Sequence, residues 1–573
     1  MGAGPALRAL DVRDRPPRQG RTLARGRRAF ARLGPDLTAS TQAPLRTDRA
    51  GLLARLAEPG GYDVAVIGGG ATGLGVALDA ATRGLRVVLV EAHDFAKGTS
   101  SRATKLIHGG VRYLAQGNLP LVREALRERQ ILLRNAPHLA QPLPFVVPAY
   151  RLGERPFYGT GLVLYDALAG KAGLGRTRWL DARATLARQP ALRAQGLRGG
   201  IEYWDGQFDD ARMAIALART AAQAGALLLN YCAAVDFIRE GGKVAGLRCE
   251  DAETGRSYGI RAKCVVNAAG IWVDAVRGLG RETPQAEPTV TFSQGAHIVV
   301  PRTFLPGDRA VLIPRTRDGR VLFALPWMGR TVIGTTDTPR PRVVLEPRPL
   351  STEVAFLLGE AGRYLARAPG IDDISSAWAG LRPLVRPGGF VSTKNISREH
   401  QVRIDGDGLV TVAGGKWTTY RAMAEDTLDA CIAAGLLKTA KSSATADWPL
   451  VGAAPGRHRV ADMPDIRGYG SEQEAVLALH GAQRDLGGGL TEAMVRFAAR
   501  HEYARTVEDV LARRSRLLFL DARLARAVAA EVGRLLREET GADPCVEVFC
   551  GLAEAYLRWP EEVSSSGSTS FSR

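Results

Sequence analysis

The hydrophobic pattern changes period along this chain, and the changes mark out its parts. Between positions 62 and 91 an apolar run (Asp63-Val64-Ala65-Val66-Ile67) leads into a glycine cluster. An Ala-rich stretch without proline follows, then a second apolar run (Arg86-Val87-Val88-Leu89-Val90). That order predicts strand, turn, helix, strand. Runs this continuously apolar suit strands of a parallel sheet covered on both faces. Further strand-like runs lie at residues 226–230, 244–248 and 264–267, while residues 209–224 carry Ala211, Ile215 and Ala218 at helical spacing. From 286 to 394 short apolar runs (296–300, 310–313, 321–325 and 331–333) are punctuated by Pro and Gly, which predicts an antiparallel sheet. A polar stretch at 438–447 reads as a linker, and the pattern beyond it is helical. Thr506-Val507-Glu508-Asp509 offers an N-cap ahead of Val510, Leu511, Leu517 and Leu518, and a second helix carries Leu524, Val528, Val532, Leu535 and Leu536. No internal repeat is found, and the serine-rich end is of low complexity.

Length and charge refine this picture. At 573 residues the chain allows several structural units and a large core. Its net charge of +18 would suit nucleic acid, anionic lipid or a phosphorylated substrate. Part of that charge is local: residues 1–50 hold eleven arginines against four aspartates with no sustained apolar period, so residues 1–60 are expected to form a loose basic extension. Arg-richness suits a transit peptide, whereas few serines and four aspartates do not. No aromatic-interleaved basic stripe or zinc-finger spacing supports nucleic-acid binding. The six cysteines are scattered without a C-x-x-C pair, which argues against a metal site or a disulfide framework and suits a reducing compartment. No uncharged apolar stretch of eighteen residues occurs, so no membrane span is expected, while attachment to a membrane surface stays open.

The first chemical motif is Gly68-Gly69-Gly70-Ala71-Thr72-Gly73, a G-x-G-x-x-G placed after a strand and at the start of a helix. There, backbone N–H groups at a helix amino end can face a pyrophosphate. Gly68 permits the tight turn, Gly70 the approach of the phosphate, and Gly73 the close packing of helix on strand. Glu91, 23 positions after Gly68, ends the second strand where an acid accepting from ribose hydroxyls is expected. This much implies a dinucleotide and leaves NAD and FAD as alternatives.

The next stretch separates them. Gly98-Thr99-Ser100-Ser101-Arg102-Ala103-Thr104-Lys105-Leu106-Ile107-His108-Gly109-Gly110-Val111-Arg112-Tyr113-Leu114 resembles the flavin-contacting segment of the FAD-dependent, quinone-linked glycerol-3-phosphate dehydrogenases. Gly414-Gly415-Lys416-Trp417-Thr418-Thr419-Tyr420-Arg421 is similar to a second signature of that family, some 300 residues away. The resemblance continues through Ala296 to Arg302, Ile333-Gly334-Thr335-Thr336-Asp337, Gly380-Leu381-Arg382-Pro383-Leu384 and Thr506 to Arg514, and covers about residues 61–550. Leu74 departs from it, standing where a small residue is expected.

The resemblance implies an α/β fold: a Rossmann-like FAD-binding domain assembled from discontinuous segments of 61–435, an antiparallel β-rich substrate domain inserted at roughly 121–200 and 286–394, and a helical C-terminal domain over 448–560; outside the resemblance, the low-complexity composition of 561–573 predicts a loose tail. It implies non-covalent FAD held by Gly68, Gly70, Gly73 and Glu91, by Thr99, Ser100, Ser101, Lys105 and Leu106 along the pyrophosphate and ribityl chain, and by His108, Ala269, Gly270 and Gly415. The substrate implied is glycerol 3-phosphate, bound by Arg112, Tyr113, Arg382, Lys416 and Thr418, with His108, Arg382 and Lys416 as the catalytic set. Forked guanidinium groups suit a phosphate, and Lys adds a point charge. For the proton acceptor, His108 and His297 are both candidates, and His108 serves equally well as a mere flavin contact. Trp327 and Trp417 are expected in the core. The partners implied are a quinone, a membrane surface and, as one possible assembly, a second copy of the chain. The location implied is the inner face of a bacterial cell membrane or, alternatively, the mitochondrial inner membrane. Competing readings are an oxidase that uses oxygen, an amine or hydroxy-acid oxidase of the same cofactor fold, and a non-enzymatic basic binding protein.

Overall fold

The computed structural model describes residues 43–114, 117–280, 288–386, 400–454 and 459–560, without the side chains of Arg112 and Tyr113. The first 42 residues and the serine tail therefore lie outside the described residues.

Tyr62–Ile67 forms the centre of a parallel sheet because its residues from Val64 onward have no exposed face. Val87–Val90 lies beside it on one flank and Ser257–Asn267 on the other, both parallel. Leu227–Leu229 and Val410–Gly414 extend the two sides, also in parallel. Helix Ala71–Thr82 packs between helices Asp210–Gln223 and Tyr420–Ala433. Gly75 permits the second contact, since a Cβ there would lie 2.9 Å from the Tyr420 ring. Leu74 is fully buried in this core, so the departure from the family pattern is absorbed by packing. The 244–248 run takes a different role: Lys243–Asp251 pairs antiparallel with Cys232–Glu240 and with the start of Ser257–Asn267.

Among the described residues a second sheet has ten strands. Its long strand Val290–Pro301 pairs antiparallel with both Arg330–Gly334 and Ser376–Val385. Four strands from earlier in the chain complete it: Ala140–Ala149 pairs with Gly199–Phe208, which also pairs with Leu106–Ile107 and Arg178–Leu180. The join runs parallel, with Ala310 beside Phe145, so the sheet is mostly rather than wholly antiparallel.

The C-terminal region is helical. Ala522–Thr540 starts at Asp521, whose carboxylate accepts the Leu524 N–H at 3.0 Å, and buries Ala525, Ala529, Val532, Leu535 and Leu536 along one face. Each large aliphatic side chain buried there contributes about 1.5–3 kcal/mol. The region after Thr506 is not one regular helix. Thr506 Oγ1 accepts the Asp509 N–H at 3.3 Å, as a cap should, but Asp509–Arg514 winds as a wide π-type turn. Arg516, at φ +66, then breaks it from Leu517–Leu520.

The loose extension expected up to residue 60 is corrected over its last part. Arg49–Leu56 is a helix capped by Asp48, whose side chain accepts the Gly51 N–H at 2.8 Å, and Leu52 and Leu56 are buried. Arg49 pairs with buried Asp251 and donates to Tyr231 O at 3.0 Å. That partner is about 200 residues away and leaves no local trace in the sequence.

Candidate active site

Gly68 ends the central strand with φ +108, and a Cβ there would sit 2.8 Å from Ala268 O. A Cβ at Gly73 would sit 1.9 Å from Gly68 O, so helix and strand touch through backbone alone. Gly70 caps helix Ala71–Thr82 with no side-chain bond, and the Ala71 N–H points to Ser100 Oγ at 3.0 Å. The positive end of this helix thereby opens onto a cavity. Glu91 accepts the N–H groups of Gly69 at 2.6 Å and His93 at 2.9 Å. Burial pushes the Glu91 carboxyl up, and those two donors oppose it.

The cavity measures about 1710 Å³. Pockets for drug-sized ligands hold roughly 300–1,000 Å³, so this one suits a long ligand together with a small one. It is lined by Gly68, Gly70 and Glu91, by Thr99, Ser100, Leu106 and His108, and by Ala269, Gly270 and Gly415. The two far-apart signatures meet here, because the Trp417 indole N–H donates to Ser100 O at 2.7 Å. Trp417 is therefore a cavity wall as well as a packing residue, and its expected place in the core is corrected. Trp327 is fully buried beneath the C-terminal helices.

The same cavity is lined by Arg382, His297, Lys416 and Thr418. Lys416 and Thr418 follow strand Val410–Gly414, whose neighbour ends in Ala268-Ala269-Gly270. Both thus emerge at the carboxyl edge of the parallel strands, where open α/β sheets hold their ligands. Arg382 stands opposite Ser293 on the second sheet. Its guanidinium donates to Thr335 Oγ1 at 3.0 Å and to Thr336 O at 3.2 Å, and approaches Asp337 at 3.4 Å. Gly295 leaves room for it, since a Cβ there would lie 2.2 Å from Arg382 Nη2. His297 is 1% exposed and stacks on Trp378 with ring centres 4.1 Å apart. Its Nε2 lies 3.1 Å from Thr104 Oγ1. Burial, followed by the charges of Lys105 and Arg382, holds the His297 imidazole well below its ordinary pKa, so it is neutral at physiological pH. His108 follows strand Leu106–Ile107, and its carbonyl accepts from Thr418 Oγ1 at 3.4 Å. Arg112 and Tyr113 lie in the short helix Val111–Leu114 next to the cavity-lining Gly110, and their side chains are outside the described residues.

Residues 63–421 match the family described as FAD dependent oxidoreductase, and residues 465–545 match the C-terminal domain of alpha-glycerophosphate oxidase. The probable mitochondrial glycerol-3-phosphate dehydrogenase of Caenorhabditis elegans is 40% identical over 532 residues, covering 87% of this chain and 73% of that one. A mitochondrial glycerol-3-phosphate dehydrogenase of Arabidopsis thaliana is 40% identical over 553 residues, covering 89% and 87%. The glycerol-3-phosphate dehydrogenase from Bacillus halodurans, solved complexed with FAD, is 30% identical with a TM-score of 0.71, covering 90% of this chain and 99% of that structure. The chain belongs to the FAD-dependent glycerol-3-phosphate dehydrogenase family.

FAD is accordingly its cofactor. The residues fit the group: side chains would fill the turn at Gly68 and Gly73, and the helix amino end is left to an anion. In this dehydrogenase fold, however, two of the expected cofactor residues face away from the cavity. Lys105, at φ +65, turns inward and is fully buried. Its Nζ donates to both oxygens of Asp210 at 2.9 and 2.7 Å and to Ser101 O at 2.8 Å. It also lies 4.6 Å from the centre of the Trp378 ring. Ser101 is likewise buried, its carbonyl shared between Lys105 and Arg516. Lys105 therefore braces the loop from behind, and Thr104 takes the cavity-facing place. Burial draws its ammonium down to about 7 against the pull of Asp210. Lys105→Met should cost about 3 kcal/mol in a urea titration, because Asp210 loses a buried partner.

Residues the sequence reading missed are Thr335 and Thr336, which hold Arg382, and Asp205, which accepts the Gly109 N–H at 3.3 Å and pairs with buried Arg129 at 2.8 Å. The Gly334-Thr335-Thr336-Asp337 run is part of the resemblance, but nothing in the sequence marks Thr335 Oγ1 and Thr336 O as acceptors for Arg382.

Proposed function

We propose that this chain oxidises sn-glycerol 3-phosphate to dihydroxyacetone phosphate, with FAD taking the C2 hydride at N5 and electrons passing on to a membrane quinone. The observation that carries this reading is Arg382, braced by Thr335 and Thr336 in the same cavity as the Gly68 turn. A braced guanidinium suits a phosphate dianion, with Lys416 as a second cation and Arg112, Tyr113 and Thr418 as further substrate contacts. Holding the remote phosphate aligns C2, so binding energy is converted into orientation. The remaining cofactor assignments, Glu91 at the ribose and Ala269, Gly270 and Gly415 along the cavity, belong to the same proposal.

The hydroxyl proton goes to His108, with His297 as the second reading, favoured by its enforced neutrality. The two differ in pH dependence. With His297 as acceptor, kcat/KM stays level as pH falls through about 6.5, because protonation of that ring is suppressed. With His108 as acceptor, turnover is lost in His108→Gln and kept in His297→Gln. Rate profiles of the two glutamine variants decide between them.

Among the described residues no helix is long and apolar enough to cross a membrane. The proposal is attachment by the surface, and the mitochondrial names of the relatives favour the mitochondrial inner membrane over the bacterial one. Oxygen is the competing electron acceptor, a reading favoured by the match of residues 465–545 to an oxidase domain. The test is anaerobic: glycerol 3-phosphate should bleach the flavin, and a quinone analogue should restore its colour. Fast peroxide release in air without quinone would overturn the acceptor; no bleaching would overturn the substrate.

A further inference from the structure

The loop from Glu91 to Thr104 lines much of the cofactor cavity, yet it contains no strand and only the short turn Thr99–Ser101. Much of its anchoring comes from the far end of the chain. Asp94, fully buried, receives Arg513 and both terminal nitrogens of Arg514, one of them at 2.9 Å. Lys97 pairs with Glu508. The Ser101 carbonyl accepts from Arg516 at 2.8 Å, and Arg102 donates to the Tyr556 hydroxyl at 2.9 Å.

The anchoring segment is itself pinned. Asp509 accepts the N–H groups of Arg505 and Thr506 at 2.7 and 2.9 Å, the Tyr231 hydroxyl at 2.7 Å, and Arg513 at 2.7 Å. Glu508 accepts from Arg513 at 2.6 Å as well as pairing with Lys97. Glu508, Arg513 and Arg514 of the Thr506 to Arg514 motif thus converge on one short loop, with Asp509 holding Arg513 in place, and no step of the proposed reaction uses them. Neither Glu508 nor Tyr556 lines the cavity.

We propose that residues 506–516 together with Tyr556 form a latch that retains FAD, pressing the Glu91–Thr104 loop onto the cofactor so that release requires the C-terminal domain to let go. The inference rests on the placement of FAD along that loop. It gives the helical domain a task in cofactor binding although the domain supplies no cavity wall among the described residues.

The test follows FAD release from purified holoenzyme by the rise of flavin fluorescence after dilution. Charge-assisted bonds of this kind, once removed, should speed release about tenfold in the Glu508→Gln/Tyr556→Phe double variant, with turnover restored by saturating FAD. Tyr556→Phe alone removes one hydroxyl and should speed release about threefold, which keeps the test available if the double variant does not fold. Arg526→Ala, which breaks an exposed pair with Glu554 in the same domain, is the control and should leave release unchanged. Release at the wild-type rate in Tyr556→Phe and the double variant, equal acceleration in the control, or lost turnover that added FAD does not restore would each overturn the latch. A wild-type protein purified without flavin would instead strike at the cofactor site itself.

Discussion

Arg382→Met should lower kcat/KM for glycerol 3-phosphate by about 10³-fold, with the flavin still bound. Truncating one partner of a desolvated charge pair costs about 2–5 kcal/mol, or roughly 30- to 5,000-fold in affinity. A position near the upper end follows from preorganisation. The guanidinium is already fixed by Thr335 and Thr336, so its orientation costs little when the phosphate arrives. Arg382→Lys should recover only part of the loss, because an ammonium keeps the charge and loses the fork. Lys416→Met should fall in the same direction by a smaller factor, as befits a point charge. Steady-state kinetics with the flavin content measured in parallel give the answer, and an unchanged KM in both variants would remove the phosphate assignment.

Gly73→Ala should yield protein without FAD. The new methyl would sit 1.9 Å from Gly68 O, and the obstacle is backbone of the cofactor turn rather than a side chain that can swing aside. Helix and strand must separate, at a cost of about 1–3 kcal/mol in stability and the loss of the turn geometry on which cofactor affinity depends. Gly359→Ala provides the contrast. It lies within helix Ser351–Tyr364 with nothing within 4 Å of the added carbon, so it should gain up to about 1 kcal/mol from helix propensity. Flavin absorbance and thermal melting of the two proteins measure both effects. Colour retained in Gly73→Ala would show that the turn tolerates expansion.

The parallel strands were legible because burial on both faces writes an uninterrupted apolar run, as at Val64 to Ile67 and Val87 to Val90. The cavity walls at Ser100, His108 and Thr418 were legible through two motifs whose joint presence implied one site. What stayed hidden depends on partners remote in sequence. Lys105 reads as a cofactor contact until Asp210 and the Trp378 ring are brought beside it. Arg49 reads as part of a basic extension until it meets Asp251. Trp417 reads as core because an indole ring looks the same in sequence whether it packs one face against a cavity or both against protein. The break at Arg516 has the same origin: its side chain is drawn toward Ser101 O and Asp210, and the local propensity for a continuous helix gives way.

The order of strands in the parallel sheet bears on how such a chain reaches its native state. Tyr62–Ile67 finds its neighbours at Val87–Val90 and at Ser257–Asn267, and the sheet is extended by Val410–Gly414. On the ribosome the central strand must wait while some two hundred further residues are made, and its apolar edge stays open meanwhile. Contacts of such long sequence separation form slowly and expose aggregation-prone intermediates. A chain ended ahead of residue 410 would lack the Val410–Gly414 strand and the Lys416 and Thr418 that follow it into the cavity, so the site is completed only late in synthesis although the central strands are already paired.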